Sequence, residues 1–357
     1  MKVLLFTLEY PPFHGGVAEY YGNLVKSWPV PENIYVLDNA KNRLLTGWLW
    51  PRWLPAVELL FRAIRKHKIN HILVGQILPL GTATYYISKL THTPYTVILH
   101  GMDFTYALRV PRKKAMAEKI LKQAKYIICA SSYTAKLVTE FLGETDKIKT
   151  VNPGIDPAKA SGHDLRSKEL KEKHKLDGKV VLFSLGRLVK RKGFDYVIKA
   201  MAEVVKQNSR VFYFIAGNGP DKRYIYDCAA GIPNIIFLGE IGEEDKWAWL
   251  QLCDIFIMPA RNIEGDYEGF GIVYLEANLC GKPVIAGDSG GVRDAVKGAV
   301  TGIIVDPNNI ERIAGAISTL STDAKLRQTL GEQGRARAIS EFSWEKQAKI
   351  IFYIING

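Results

Sequence analysis

The amino-acid sequence predicts an α/β protein made of two parallel-sheet domains. Three observations carry that prediction. Short apolar runs alternate with stretches of helical periodicity along the whole chain, as expected of strands buried on both faces and joined by crossover helices. The alternation stops at a Pro/Gly-rich segment, TVNPGIDPAKA at 150–160, and then restarts. The length of 357 residues, 47% of them hydrophobic, exceeds one ordinary core and suits two domains of roughly 150–180 residues each.

The elements follow in order. KVLLFTL (2–8) is a first strand, and it ends in EYPPFHGG, a loop with two prolines and two glycines. VAEYYGNLVKSW then has a helical pattern, and NIYVLD is a second strand. Residues 54–66, LPAVELLFRAIRK, form an amphipathic helix with apolar positions at 54, 57, 60, 61 and 64. HILVGQ, YTVILHG and YIICAS are further strands. After the Pro/Gly-rich linker comes a charged helix, LRSKELKEKHK. The second sheet is VVLFSLGR, VFYFIAG, NIIFLG, CDIFIMP, PVIAGD and GIIVD, with FDYVIKAMAEVVKQ as its first helix. The last stretch, EFSWEKQAKIIFYIING, is a helix with an apolar face, and it is expected to cross back onto the first domain. The predicted division is therefore 1–155 joined by a helix at 342–357, and 156–341. Each part is Rossmann-like, and the two sheets are expected to face a central cleft. Ligands of open α/β sheets bind beyond the carboxyl ends of the strands, and every notable loop of this chain falls there.

Charge and cysteine usage narrow the function classes. The net charge is +12, and its distribution is uneven: 20 Lys/Arg against 10 Asp/Glu in residues 1–150, and 28 against 26 in the remainder. Residues 41–68 hold seven basic side chains against Glu58 alone, and 109–125 hold seven against Glu118 alone. A solvated basic surface and an attraction to an anionic surface or polyanion both fit this pattern. The four cysteines lack CxxC spacing, as expected of buried thiols in a reducing compartment rather than a zinc site. The N-terminal apolar run is too short for a signal peptide and is expected to be the first strand. No apolar stretch reaches the roughly 18 residues of a membrane span.

Several loops carry candidate chemistry. SLGRLVKRKG places Arg187, Lys190, Arg191 and Lys192 between a strand end and a helix. Fixed cations beside a helix N-terminus suit a diphosphate, with Arg187 as a two-pronged donor and Lys192 as a point charge. A basic surface turn has the same sequence. The Gly15–Gly16 pair would let backbone approach a ligand, or would simply complete a tight turn after the prolines. Glu268 precedes Gly269 and Gly271, and Glu276 lies eight residues on, in the helical pattern IVYLEANLC. Carboxylates there can accept bonds from vicinal hydroxyls or support a cationic sugar; a capping glutamate and a surface glutamate are the plain alternative. His100 ends a strand in LHGMD with Asp103 nearby, placed to touch a substrate or to serve the fold. No Asp-x-Asp pair or His cluster occurs, so no catalytic metal is expected.

Together these residues resemble the retaining GT-B glycosyltransferases, in particular the large bacterial family of α-glycosyltransferases marked by E-x7-E. The matching segments are EGFGIVYLE (268–276), GRLVKRKG (186–193), GG (15–16), HG (100–101), NPGID (152–156) and SGG (289–291). FGIVYLEANLCGKPVIAGDSGG is similar to the GDP-mannose-dependent phosphatidylinositol mannosyltransferases. The resemblance implies roles. Arg187 and Lys192 would hold the donor diphosphate, Glu276 the ribose hydroxyls, and Glu268 the sugar hydroxyls. Gly16 would approach the phosphate from the first domain. His100 would touch the sugar near the reacting centre, where Glu268 and His100 are the catalytic candidates. The backbone of Phe270 and Gly271 would face sugar and phosphate, with Gly217 and Ile241 beside the base. The implied reaction is hexosyl transfer with retention, mannose first, from GDP-mannose or a UDP-sugar to a glycolipid or glycan, without cofactor or metal.

In that family the N-terminal domain takes the acceptor. GWLWPRWLP (47–55) sets Trp48, Trp50 and Trp53 beside Arg52, a pairing used at membrane interfaces and also in core hairpins and acceptor walls. The expected location is the cytoplasm, with a peripheral seat on the inner face of the plasma membrane as the reading of the basic first half. Rival readings are a nucleotide-sugar epimerase, a non-catalytic nucleotide-sugar sensor and a nucleic-acid binder. The last needs aromatic residues interleaved with basic ones on an exposed sheet, and the sequence offers none.

Overall fold

The computed structural model describes residues 1–13, 15–47 and 50–357, without the side chain of Lys41; His14 and Trp48 of the segments above lie outside the described residues. The chain divides into two compact units, Met1–Gly154 with Trp344–Gly357, and Ile155–Ser343.

The first unit holds a six-stranded sheet of β1 (Val3–Phe6), β2 (Ile34–Leu37), β3 (His71–Val74), β4 (Tyr95–Leu99), β5 (Tyr126–Cys129) and β6 (Ile148–Thr150). The second holds β7 (Val180–Leu185), β8 (Val211–Ala216), β9 (Ile235–Gly239), β10 (Ile255–Met258), β11 (Val284–Gly287) and β12 (Gly302–Val305). The orders are β2-β1-β3-β4-β5-β6 and β12-β11-β10-β7-β8-β9. Every pairing is parallel. β1, β3, β4, β10 and β11 are buried at each position, which is why the sequence shows them as unbroken apolar runs.

Strand order reverses between β1 and β3 in one sheet, and between β7 and β10 in the other. At such a reversal the loops leaving adjacent strands diverge to opposite faces and open a crevice. GRLVKRKG follows β7, and the segment leading to Glu268 follows β10. Both therefore leave the second sheet at its own reversal point.

Two differences from the sequence reading have local causes. β6 was missed because Ile-Lys-Thr is short, polar and only partly covered at the sheet edge. The helix Leu54–His67 buries Ala56, Leu60 and Ile64, a narrower stripe than its apolar residues suggest. Leu54, Val57 and Phe61 instead line an open groove of about 540 Å³ with Ile87 and Leu90.

The C-terminal helix Trp344–Asn356 buries Trp344, Ala348, Ile351 and Ile355 at helical spacing. Trp344 packs edge-on against Tyr20, with ring centroids 5.1 Å apart, and Phe352 lies 5.7 Å from Trp28. Gly154 is fixed by this packing, since a Cβ there would lie 2.6 Å from the Trp344 ring. Loss of a buried aromatic side chain costs about 3–5 kcal/mol. Trp344→Ala is expected to accelerate amide exchange in β1, β3 and β4 while leaving β7, β8 and β10 unchanged. Equal exchange in all six strands of the mutant and the parent would contradict this account of the first unit.

Candidate active site

In the second unit the loop after β7 is pinned by main-chain bonds. Leu188 N donates to Asn218 O (2.9 Å), Asp221 N donates to Leu188 O (3.1 Å), and Lys190 N donates to Asp221 Oδ2 (2.9 Å). The backbone is thus held while the Arg187 side chain stays exposed. Among the described residues, Arg187 has no ion pair. Lys190–Lys192 make a single 3₁₀ turn.

A buried cation braces that turn from across the sheet's reversal point. Arg261, three residues past the end of β10, gives its backbone N–H to Arg191 O at 2.6 Å and an Nη2–H to Lys190 O. The same Nη2 reaches Asp195 Oδ1 and Oδ2 at 2.8 and 3.0 Å. The two side chains are 7% and 3% exposed, and the guanidinium sits 4.1 Å from the Tyr196 ring centroid. Asp195 lies in the first turn of the helix Phe194–Gln207, where a carboxylate also suits the helix dipole.

Glu268 is held by the braced turn. Its Oε2 accepts from Arg191 Nη1 at 2.9 Å and from Lys192 Nζ at 2.5 Å. Arg191 Nε also lies 2.8 Å from Asp266 Oδ1. Burial works to raise the Glu268 pKa, but Lys192 and Arg191 outweigh it and hold the carboxyl below its ordinary range. Both bonds fall on Oε2, so Oε1 keeps its accepting capacity. Two glycines allow the backbone around Glu268 to pack closely. Gly271 has φ +85°, and a Cβ there would lie 2.3 Å from the Tyr274 ring; Gly290 has φ +58°, and its Cβ would lie 2.3 Å from Glu268 O. Only glycine meets both demands at each position. Among the described residues, no backbone carbonyl accepts from the N–H of Phe270 or Gly271. The Phe270 ring itself is buried, 6.0 Å from Phe342.

Glu276 lies in the helix Ile272–Leu279 and is 9% exposed. Its Oε1 accepts from Lys246 Nζ at 2.9 Å. Gly217 follows β8, giving its N–H to Gly239 O at 2.7 Å; a Cβ on it would lie 2.0 Å from Gly186 O. Ile241, just past β9, is half-buried against the unit's main core. The structure thus joins Lys192 and Glu268 directly, leaves Arg187 open, and gives Glu276 a cation of its own.

In the first unit, Gly16 opens the helix Gly16–Lys26. A Cβ there would meet nothing within 4 Å, so packing does not require the glycine. His100 follows β4 in a cage of aromatic rings, with Tyr20 at 4.8 Å and Tyr21 at 5.4 Å. The Tyr21 hydroxyl has one proton, and it donates it to Gly75 O at 2.7 Å. His100 Nε2, 2.9 Å from that hydroxyl, must therefore be the donor. Burial lowers the His100 pKa to about 4, so the ring is neutral near pH 7 and Nδ1 is left as an acceptor. Asp103 Oδ1 accepts from His100 N and Gly101 N, each at 3.0 Å. Burial raises the Asp103 carboxyl to about 6 against the pull of those bonds.

Sequence reasoning missed Arg261, Asp195, Lys246, Asp266 and Tyr21. None stands in a recognisable motif; the one local signal is Lys246, a cation near the start of a helix whose other first-turn charges are acidic. Among the described residues, no group of three or more His, Cys, Asp or Glu side chains is arranged to hold a metal ion.

Comparison with known proteins agrees with this architecture. Residues 2–159 match the model of Glycosyltransferase Family 4, and residues 166–337 match that of Glycosyl transferases group 1. The chain is 30% identical over 377 residues to the GDP-mannose-dependent monoacylated alpha-(1-6)-phosphatidylinositol monomannoside mannosyltransferase of Corynebacterium glutamicum, covering 100% of this chain and 98% of that one. It is 26% identical over 387 residues to the GDP-mannose-dependent alpha-(1-6)-phosphatidylinositol monomannoside mannosyltransferase of Mycobacterium tuberculosis, with the same coverage. The crystal structure of Anabaena HepE in complex with UDP superposes with a TM-score of 0.83 at 20% identity, covering 100% of each chain. The sheet orders, the loops at each reversal point and full-length similarity lead to one assignment: the chain belongs to the group 1 and family 4 glycosyltransferases and has their GT-B fold.

Proposed function

We propose that the chain is a retaining α-mannosyltransferase that takes mannose from GDP-mannose and delivers it to a hydroxyl of a glycolipid or glycan acceptor. The observation that carries this reading is the Glu268 carboxylate, tied through Oε2 to Lys192 and Arg191 with Oε1 left open. An ionised, fixed acceptor beside cations suits a ligand bearing hydroxyls next to a diphosphate. The two relatives named above use GDP-mannose, which favours that donor over a UDP-sugar.

In this reading the bond from the anomeric carbon to the diphosphate oxygen breaks. The acceptor oxygen forms its bond on the same face, and its proton passes to the departing diphosphate. Arg187 and Lys192 stabilise the negative charge that develops there, the work a metal does elsewhere, so transfer is expected to persist in excess EDTA. Glu268 and His100 Nδ1 accept from sugar hydroxyls and orient the ring, Glu276 holds the ribose, and Gly16 lets backbone approach the phosphates. Phe270 and Gly271 offer their N–H groups, and Gly217 and Ile241 border the base. No covalent nucleophile and no cofactor is required.

A lipid acceptor fits a second observation. No described helix is long and apolar enough to cross a membrane. The groove along Leu54–His67 is nevertheless apolar, and Trp50 (89% exposed) and Leu90 (68% exposed) project from the first unit, with Arg52 between Trp50 and the helix in the chain. Trp53 is occupied by stacking on Tyr86. Apolar anchors with basic neighbours suit the surface of an anionic bilayer.

Four outcomes are expected. In a thermal-shift panel, GDP and GDP-mannose should stabilise the protein selectively over UDP, ADP, UDP-glucose and UDP-N-acetylglucosamine, by about 2.7 kcal/mol at 100-fold excess over the dissociation constant. A UDP-selective shift would overturn the donor, and tight binding without turnover would make the protein a sensor. Arg187→Ala, at unchanged melting temperature, and Glu268→Gln, with a lowered melting temperature because it strands Lys192 and Arg191, should each lower kcat/KM of the folded protein by about 100-fold or more; near-parental transfer by both would remove the site assignment. The acid limb of kcat/KM should centre near pH 6, as protonation of Asp103 weakens its hold on His100 N, and Asp103→Asn should flatten it. A limb near 4 would point to His100 instead. Sedimentation with vesicles containing anionic phospholipid should fall several-fold in Trp50→Ser/Leu90→Ser; equal binding would place the lipid contact elsewhere.

A further inference from the structure

Lys246 stands where its own helix disfavours it. It lies in the first turn and a half of the helix Glu243–Leu252, after Glu243, Glu244 and Asp245. Acidic residues suit the positive end of a helix dipole, and a lysine there works against it. The side chain is also 12% exposed, although a lysine head prefers water. Nζ is 2.9 Å from Glu276 Oε1 and 3.2 Å from Glu243 Oε1, and it sits 4.9 Å from the Trp247 ring centroid. Glu243 in turn accepts from Trp247 Nε1 at 2.9 Å and lies 3.5 Å from Lys159 Nζ. Charges therefore alternate from Lys159 through Glu243 and Lys246 to Glu276, and the last two are the buried ones, at 12% and 11% side-chain exposure.

Stability does not explain such a pair. A buried ion pair gains little over apolar residues of the same volume, because both charges lose their hydration. Departures from local preference concentrate at functional sites. The pair has two consequences for Glu276. A protonated lysine in contact keeps the carboxylate ionised, hence able only to accept hydrogen bonds. It also fixes the rotamer, so the ordering of a flexible glutamate is complete before a ligand arrives. Burial alone would discharge Lys246, but Glu276 and Glu243 outweigh it and raise its pKa. Glu243, anchored by the indole N–H, keeps Lys246 from following its partner when a ligand binds.

We infer that Lys246 is the positioning residue for nucleotide recognition: it sets the Glu276 carboxylate to accept from the two vicinal ribose hydroxyls, with Glu243 as its anchor. This rests on the reading above that Glu276 holds the ribose. The consequence is a nucleotide site whose discrimination between ribose and dideoxyribose depends on a residue that does not itself contact the ribose.

Calorimetric titration with GDP and UDP, each beside its 2′,3′-dideoxy form, tests the inference. The parent protein should bind the ribose form of its nucleotide about 10- to 100-fold tighter, as expected for losing charge-assisted hydrogen bonds. Glu276→Ala should abolish that ratio. Lys246→Met should reduce it to within about threefold while dideoxynucleotide affinity stays within about twofold, and Lys246→Arg should restore most of it. Lys246→Gln replaces the Met variant if that one does not fold. Absence of discrimination in the parent would overturn the ribose reading and this inference with it. If the parent and Glu276→Ala behave as stated but Lys246→Met keeps the full ratio, the inference alone falls. Equal weakening of both nucleotide forms would assign Lys246 a purely structural role and would overturn it too.

Discussion

Arg261 is the constraint on which the second unit's site depends. One buried guanidinium holds the Asp195 carboxylate, a carbonyl of the Lys190–Lys192 turn and the face of Tyr196, while its backbone N–H holds a second carbonyl of the same turn. Those carbonyls face inward because of Arg261. Arg191 and Lys192 are then left to meet Glu268. Removing one member of a buried ion pair strands the other and costs about 3–5 kcal/mol, so this joint is far stiffer than a surface ion pair. It spans the point where strand order reverses, and it sets the distance between the loops after β7 and β10 beyond the reach of the strand ladder.

The first unit fixes its imidazole with neutral rings and one carboxylate. The Tyr21 hydroxyl donates a hydrogen bond to a carbonyl just beyond β3 and accepts one from His100 Nε2–H, while Asp103 holds the His100 backbone from the other end. Packed rings around the imidazole leave little space for a second rotamer. A neutral ring of defined tautomer and a carboxylate of defined charge are two ways to hold an acceptor whose lone pair points in a fixed direction.

The sequence carried the strands well where burial was complete. β1, β3, β10 and β11 appear in it as unbroken apolar runs, whereas β6, a three-residue polar edge, left no trace. Glu268, Glu276, Arg187 and Lys192 were legible because they stand at fixed spacing around glycines. Their supports were not. Arg261 lies in an irregular loop 66 residues from Asp195, and Lys246 lies 30 residues from Glu276; partners that far apart are matched by tertiary packing, which no periodicity encodes. The contact between Lys192 and Glu268 was likewise invisible, since the motifs that hold them point to different parts of the ligand. The apolar stripe of Leu54–His67 was legible too, but not which part of it the sheet would cover.

That Lys192–Glu268 contact has an effect beyond geometry. With Arg191 also engaged by Asp266 and Glu268, Arg191 and Lys192 are both quenched, and Arg187 is left to present an unmatched charge among the described residues. A cell is crowded with phosphate, sulfate and nucleoside triphosphates, and a bare triad of cations would trap them. Here two of those cations are already paired, and a simple anion must compete with a carboxylate for Lys192. A ligand that also brings hydroxyl protons to Glu268 satisfies the carboxylate and the lysine together. Under the proposed function, the internal ion pair would act as a mask, making the site reluctant toward anions in general and receptive to those that carry a sugar.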